Sequence, residues 1–395
     1  MTNPRRKICV VTGSRADYGV VYPVLRVLRD SMKIELSVIA TAMHLAPEFG
    51  LTVREIEKAG FPIDARVDML LGADTNAAMA KSIGIGVQGM AQALESIRPA
   101  IVLLPVDRAE HLAAAVAAAT MNILIAHMNG GDVSGSIDES YRHAISKFAH
   151  VHFPNCRSSA DRLLRMGERP DRVHCVGDAS LDNLFLEELP SGPAVRKKYA
   201  LKEKEDFIIA VFHPVSTESE SASDQMKVFL AAVVASGMRT IFLSSNADAG
   251  GRGMVELLKR ERKTASKIDY HTTLPHADYL ALLREARALA GNSSSGILEA
   301  PSVGLPVVNV GTRQQGRERA GNVIDVPFEP GLPGINAITD ALKKALHDED
   351  FRGLARTCRS PYGDGHAAEK IVSILEDPAL LVTDVQKTFH DERSM

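Results

Sequence analysis

At 395 residues, 45% hydrophobic and 24% charged, the chain is too long for one ordinary core and has the composition of a soluble protein of two domains. A formal net charge of -3, from 46 basic and 49 acidic residues, argues against a general nucleic-acid binder. No apolar run approaches the roughly 20 residues of a membrane span, and MTNPRRKICVV lacks a secretory h-region. Cys9, Cys156, Cys175 and Cys358 form no CxxC pair, which fits buried reduced thiols in a cytoplasmic protein and leaves no cysteine-based zinc site.

Short apolar runs alternate with segments of helical period. KICVVT, IELSVIAT, IVLLPV, NILIAHM, VHFPN and VHCVG read as strands. Between them, YGVVYPVLRVLRD, VREIEKAG, AAMAKSIGIGVQGMAQALESI, HLAAAVAAATM, YRHAISKFA and SADRLLRMG read as helices. Near-continuous apolar strands separated by helices predict a parallel sheet covered on both faces. Residues 184–201, LFLEELPSGPAVRKKYAL, break the rhythm and read as a linker. A second alternation follows, with strands in FIIAVFHP, RTIFLSS, KIDYHTT, ALAGNSS and LPVVNVG. Its helices are MKVFLAAVVAS, RGMVELLKRER, HADYLALLREA and SGILEAPSVG. HAAEKIVSILED predicts a closing helix, and VQKTFHDERSM a fraying polar tail. The expected fold is α/β, with two Rossmann-like, doubly wound domains and a ligand site in the cleft between them. The domains are placed at 1–183 and 202–365, with 366–395 packing back on the first.

Several strand ends carry chemistry. In GSRADYG a glycine turn feeds a helix N-terminus, which offers backbone N–H groups to an anion; Arg15 adds a charged donor, and both Arg15 and Asp17 are binding candidates. The same residues read equally as a cap with Arg15 and Asp17 in a surface pair. PVDRAEH crowds Asp107, Arg108 and Glu110 at the end of the strand IVLLPV, where a lone Asp also serves as a helix N-cap. NGGDVSGSIDESYRH crowds Asp132, Asp138 and Glu139 beside Arg142. Neighbouring carboxylates can share one proton, which makes one an acid and the other a base. An N-cap at Asp138 and a favourable helix dipole at Glu139 explain those two residues but not the GGD before them. His143 and His150 are two helical turns apart, too far to ligate one ion, so no metal is expected.

In the second half, His213 ends a strand, where it serves a phosphate, a proton or only the structure. Asn246 and Asp248 lie in a turn-rich loop and join the binding candidates. GNSSSG is more specific: Ser294, Ser295 and Gly296 open a helical segment with hydroxyl and backbone donors suited to an anion. Glu299 follows one turn on, and Arg313, Gln314, Arg317 and Arg319 follow the next strand.

Together GSRADYG, DRAEHLAAA, IAHMNGGD, IDESYRHAI, VGDASLD, FHPVSTE, SNADAG, GNSSSGILEAPSVGLPVVNVGTRQQGR and SPYGDGHAAEKI, in order over nearly the whole chain, resemble the hydrolysing UDP-N-acetylglucosamine 2-epimerases of sialic and legionaminic acid synthesis. The resemblance implies a glycosyltransferase-B-like fold, a UDP-sugar substrate, no cofactor and a homodimer or homotetramer. It places the diphosphate on Ser294, Ser295 and Gly296, the ribose on Glu299, and Arg15, His213 and Arg313 near the nucleotide. The matching catalytic carboxylates are Asp107, Asp132 and Asp138, with Glu139 adjacent. The implied reaction eliminates UDP with loss of the C2 proton and then adds water, giving N-acetylmannosamine from UDP-N-acetylglucosamine. Val106 replaces the family's usual glycine, Asn129 its histidine and Asp132 its glutamate. These departures keep open a 4-acetamido or 6-deoxy sugar, a non-hydrolysing epimerase and a nucleotide-sugar-binding protein with weakened catalysis.

Overall fold

A computed structural model describes residues 5–73, 75–185, 189–215, 218, 221–243, 266–382 and 384–391. The chain divides into two units. The first comprises Met1–Asp132, Asp138–Asn183 and Tyr362–Met395. The second comprises Val133–Ile137 and Leu184–Pro361.

In the first unit the strands are β1 (Arg6–Thr12), β2 (Ile34–Thr41), β3 (Ala65–Val67), β4 (Ile101–Leu104), β5 (Leu124–Met128) and β6 (Val151–Phe153). They form one sheet in the order β3-β2-β1-β4-β5-β6. Every pairing is parallel. The helices are α1 (Arg15–Asp30), α2 (Val53–Lys58), α3 (Asn76–Ile97), α4 (Ala109–Thr120), α5 (Asp138–Phe148) and α6 (Arg157–Arg165). Ile8 and Val10 point into one buried apolar layer, Cys9 and Val11 into the other, as the two-residue strand period requires.

The second unit repeats this plan. After α7 (Gly192–Lys198) come β7 (Phe207–Val211), α8 (Ala222–Ala235), β8 (Arg239–Leu243), β9 (Ile268–His271) and α9 (His276–Glu285). Then follow β10 (Ala288–Gly291), β11 (Val307–Val310), β12 (Val323–Val326), α10 (Gly331–His347) and α11 (Glu349–Thr357). Its sheet order is β12-β11-β10-β7-β8-β9. Phe212 stacks on Phe229 at 4.8 Å, inside one of its two cores.

Several expectations need correction. VHCVG is no strand: Val173 makes a single bridge to His152. SGILEAPSVG is not one helix but two 3-10 turns, Ser294–Gly296 and Ala300–Val303, because Pro301 cannot continue a helical hydrogen-bond ladder. The presumed linker contains α7. β3 and β12 were too short or too polar to read from pattern. Cys175 is exposed. RGMVELLKRER lies outside the described residues. No helix among the described residues is long and apolar enough to cross a membrane.

The chain's last helix, α12 (Ala367–Leu375), packs against α1 in the first core. Its N-terminal N–H groups at Ala367 and Ala368 donate to the Asp182 carboxylate at 3.0 and 2.7 Å. The polar tail does not fray over 384–391. His150 Nε2 meets Val385 O at 3.1 Å, and His390 N–H donates to Gly167 O at 2.9 Å. Lys387 pairs with Glu168, a buried carboxylate that also accepts from Lys147 at 2.8 Å and from His152 at 2.9 Å. Burial alone would raise the Glu168 carboxyl, yet these three donors hold it down at about 2.

A carboxylate held below its ordinary value of 4.5 contributes stability above that pH and loses it as the pH falls toward 2. Glu168→Gln is therefore expected to be less stable than wild type at pH 7, with a flatter loss of stability between about pH 5 and 3. Denaturant titrations across that range check both expectations.

Candidate active site

In an open α/β sheet, ligands bind beyond the carboxyl ends of the strands where the order reverses. In the first sheet that point lies between β1 and β4, whose pairing sets Val10 beside Leu103. It places the GSRAD corner next to the Asp107 loop. In the second sheet the same point lies between β7 and β10, with Val211 beside Gly291. It places His213 next to GNSSSG.

The first corner is built on Asp17. Ser14 caps α1 by accepting from Asp17 N–H at 3.3 Å, and the Asp17 carboxylate reaches back to the corner. It accepts from Gly13 N–H at 2.9 Å, Ser14 N–H at 3.0 Å and Thr12 Oγ1 at 2.6 Å. Asp17 is only 2% exposed, so it holds the corner rather than pairing with Arg15 at the surface. Arg15 Nε instead meets Glu55 Oε2 at 3.2 Å. Around Asp17 stand Glu110 from PVDRAEH and two residues that sequence pattern did not single out, His44 and His111. His111 Nε2 lies 3.3 Å from Val11 O and 3.5 Å from Asp17 Oδ2. Burial lowers the His44 imidazole, against the opposing pull of Asp17. Glu110 lies so close to Gly13 that a Cβ there would come within 2.4 Å of its Cγ, so a side chain at position 13 would displace Glu110.

Asp17, Glu110 and His111 bring ligand-type atoms within 4.8 Å of one another. However, the Asp17 oxygens are already taken by Thr12, Gly13 and Ser14, and Glu110 Oε1 lies 3.2 Å from Arg108 Nε. The donor set suits a closed hydrogen-bond network better than a cation.

The carboxylate cluster is organised by Arg142, 2% exposed on the inner face of α5. Its Nη2 pairs with Asp107 and its Nη1 donates to Asp132 O at 3.1 Å. One guanidinium thus joins the loop after β4 to the loop after β5. Asp107 is not the N-cap of α4; that position falls to Arg108. Asp132 is buried, and Asp138 and Glu139 form the first turn of α5. Glu139 lies 3.9 Å from His143, whose imidazole is lowered by burial and by Arg142. The GG pair now has a reason. Gly131 has φ +77, and a Cβ there would come within 2.2 Å of Ser159 O. Asn129 also takes a left-handed φ of 58, a conformation asparagine tolerates better than most residues.

In the second unit, Asn292 is the hub. Its Oδ1 accepts from His213 N–H at 2.7 Å and its Nδ2 donates to His213 O at 2.8 Å. Its own carbonyl accepts from Arg313 at 3.2 Å and from Gln314 at 2.8 Å. Ser293 then caps the Ser294–Gly296 turn by accepting from Ser295 N–H at 3.3 Å. Tyr279 donates its hydroxyl to Ser295 Oγ at 2.7 Å. Burial, then Glu299, pushes the Tyr279 hydroxyl up, so it remains a donor at neutral pH. Ser295 accepts that bond and keeps its own proton for another acceptor. The structure therefore gathers His213, Arg313 and the serine turn; Asn292 stood within GNSSSG but had no assigned role. Asn246 and Asp248 lie outside the described residues.

Comparison with known proteins matches residues 26–376 to the family model of UDP-N-acetylglucosamine 2-epimerase. The chain is 37% identical to a UDP-N,N'-diacetylbacillosamine 2-epimerase (hydrolyzing) of Legionella pneumophila, over 94% of this chain and 96% of that one. It is 31% identical to a GDP/UDP-N,N'-diacetylbacillosamine 2-epimerase (hydrolyzing) of Campylobacter jejuni, over 98% and 99%. The crystal structure of a UDP-GlcNAc 2-epimerase from Neisseria meningitidis, bound to UDP-GlcNAc, shares the fold with a TM-score of 0.78 at 18% identity, over 93% and 99%.

Asp17→Asn replaces an anion accepting from two backbone N–H groups and Thr12 with an amide that brings its own donors. The expected cost is about 2–4 kcal/mol of folding stability. Chemical denaturation of the variant against wild type measures it.

Proposed function

The chain belongs to the UDP-N-acetylglucosamine 2-epimerase family, and from that premise we propose that it is a hydrolysing 2-epimerase of a UDP-linked 2-acetamido sugar. The observation that carries this reading is the Arg142 clamp, which ties Asp107 to the Asp132 loop at adjacent strand ends. Elimination and hydration at one carbon pair need a fixed base and a fixed acid, and fixed carboxylates supply both.

In the proposed reaction the C1–O bond breaks and its electron pair leaves with UDP. The C2 proton passes to a carboxylate among Asp107, Asp132, Asp138 and Glu139, and a C1–C2 double bond forms. Water then adds its oxygen to C1, and a proton returns to C2 from the opposite face. The free sugar is inverted at C2. Ser294, Ser295, Gly296, Arg313 and His213 are assigned to the departing diphosphate, whose negative charge grows as the bond breaks. Glu299 is assigned to the ribose. Arg15 adds a guanidinium from the GSRAD corner, and Arg108 stands beside Asp107.

A second sugar has specific support. Asp132 and Asn129 replace the longer side chains expected in that loop. The Legionella and Campylobacter relatives are named for a diacetylated bacillosamine. A sugar bearing a 4-acetamido group is therefore a substrate to test alongside UDP-N-acetylglucosamine.

Proton NMR in deuterated water with each UDP-sugar tests the reading. Free UDP with a C2-inverted sugar carrying deuterium at C2 is the expected product; an inverted sugar still attached to UDP would make the enzyme non-hydrolysing. Bound sugar without turnover of either substrate would overturn catalysis.

Asp107→Asn and Asp138→Asn are expected to lower kcat by about 100-fold or more and leave the UDP Kd within a few-fold. Ser295→Ala is expected to weaken UDP about tenfold, because it removes a hydrogen bond to a charged group. Steady-state kinetics and calorimetric titration of UDP separate the two classes.

A further inference from the structure

The tail residue Lys387 is 241 positions from the residue it touches most closely on α5, and nothing in the reaction above uses it. Its ammonium donates to Ser146 O at 2.8 Å and Lys147 O at 3.1 Å, and pairs with the buried Glu168. Ser146 and Lys147 lie in the last turn of α5, where helix carbonyls run short of intrahelical donors; Ser146 O also accepts from Ala149 N–H, at 3.2 Å. A cation is favoured there by the helix dipole. The helix end is thus completed by a side chain from the far end of the chain.

The helix it completes carries the site. Asp138, Arg142 and Ser146 stand four residues apart and share one face of α5. Arg142 and Ser146 are both buried on that face, and Ser146 Oγ meets His127 Nδ1 at 3.2 Å at the end of β5. A shift of α5 along or about its axis would move Arg142 against Asp107 and Asp132 O. The tail is anchored beyond Lys387 by His390 N–H on Gly167 O and by the Phe389 ring, which covers Gly167 and lies 5.1 Å from Lys147 Nζ.

We propose that Lys387 is a positioning residue for the reaction, fixing the C-terminus of α5 so that Arg142 holds Asp107 and the Asp132 loop in register. The proposal rests on the epimerase reading for its effect on turnover, but not for its effect on the helix. Lys387→Met keeps much of the side-chain bulk and removes the charge and donors. Phe389→Ala loosens the tail at an exposed ring, which protects the test against a folding failure.

The measurements are kcat and KM for the UDP-sugar, UDP Kd by calorimetry, and amide hydrogen exchange over 138–148. For Lys387→Met, kcat is expected to fall about tenfold, with KM and UDP Kd within about twofold and faster exchange in α5. Phe389→Ala should show the same pattern to a smaller degree, and Lys387→Arg, which keeps the cation, should restore most of kcat. Wild-type kcat in Lys387→Met overturns the proposal, as does unchanged exchange over 138–148. A fall in kcat that merely follows loss of folded protein, with UDP binding lost alongside, would also overturn it by making Lys387 structural only. If wild-type protein turns over no UDP-sugar, the epimerase reading fails, and the exchange readout alone decides whether Lys387 holds the helix.

Discussion

A guanidinium that is 2% exposed must find anions and carbonyls, because burying it unpaired would cost several kcal/mol. Arg142 finds the Asp107 carboxylate on one loop and the Asp132 carbonyl on another. That requirement draws the ends of β4 and β5 and the start of α5 to one place. The carboxylates of NGGD and IDES are near each other in sequence; Asp107 comes beside them because β4 pairs with β5 and Arg142 bridges the loops that follow. The glycines of the loop serve the same end. Gly131 lets the chain pass against Ser159 O, and the backbone of Asp132 is then within reach of Arg142.

The second unit solves a parallel problem with neutral groups. A serine turn assigned to a diphosphate works best with its donors aimed before the anion arrives. Asn292 fixes His213 by two hydrogen bonds and collects Arg313 and Gln314 on its carbonyl. Tyr279 spends its hydroxyl on Ser295, which leaves the serine proton to point elsewhere. In each unit the strand order reverses beside such a cluster: the GSRAD corner and the Asp107 loop at β1 and β4 in the first, His213 and the serine turn at β7 and β10 in the second. In the proposed reaction the first is assigned the carboxylates that handle protons and the second the donors for negative charge.

The departures in the carboxylate loop acquire a physical meaning. Asn129 occupies a left-handed position that its side chain tolerates, so its presence does not distort the turn. Asp132 is one methylene shorter than glutamate, and it is buried on a loop held by Arg142 and, through Gly131 O, by Arg162. A loop held this firmly does not slide forward to make up the missing length, so in the proposed reaction the difference would fall on the sugar.

Much of this was legible in the chain itself. Strand and helix alternation, the apolar strands and the turn residues dictated two parallel α/β sheets, because those patterns are local and repeat with the period of the backbone. GSRAD, DRAEH, GGD and GNSSSG marked the strand ends, since small residues, caps and charges are needed where a strand turns into a helix. Local pattern failed where the determining contact was distant. It offered Asp17 as a ligand or a surface partner for Arg15, whereas burial beside His44 and His111 makes it the anchor of its own corner. It took 295–304 for a helix, which Pro301 and the serine turn prevent. It left the tail as a fraying end, because nothing near Lys387 reveals that Glu168 and the end of α5 await it. The amino-acid order by itself determined the elements and the chemical types at their ends. Which of those groups meet was decided only in the folded state, where buried charges and unfilled helix ends must find partners far away along the chain.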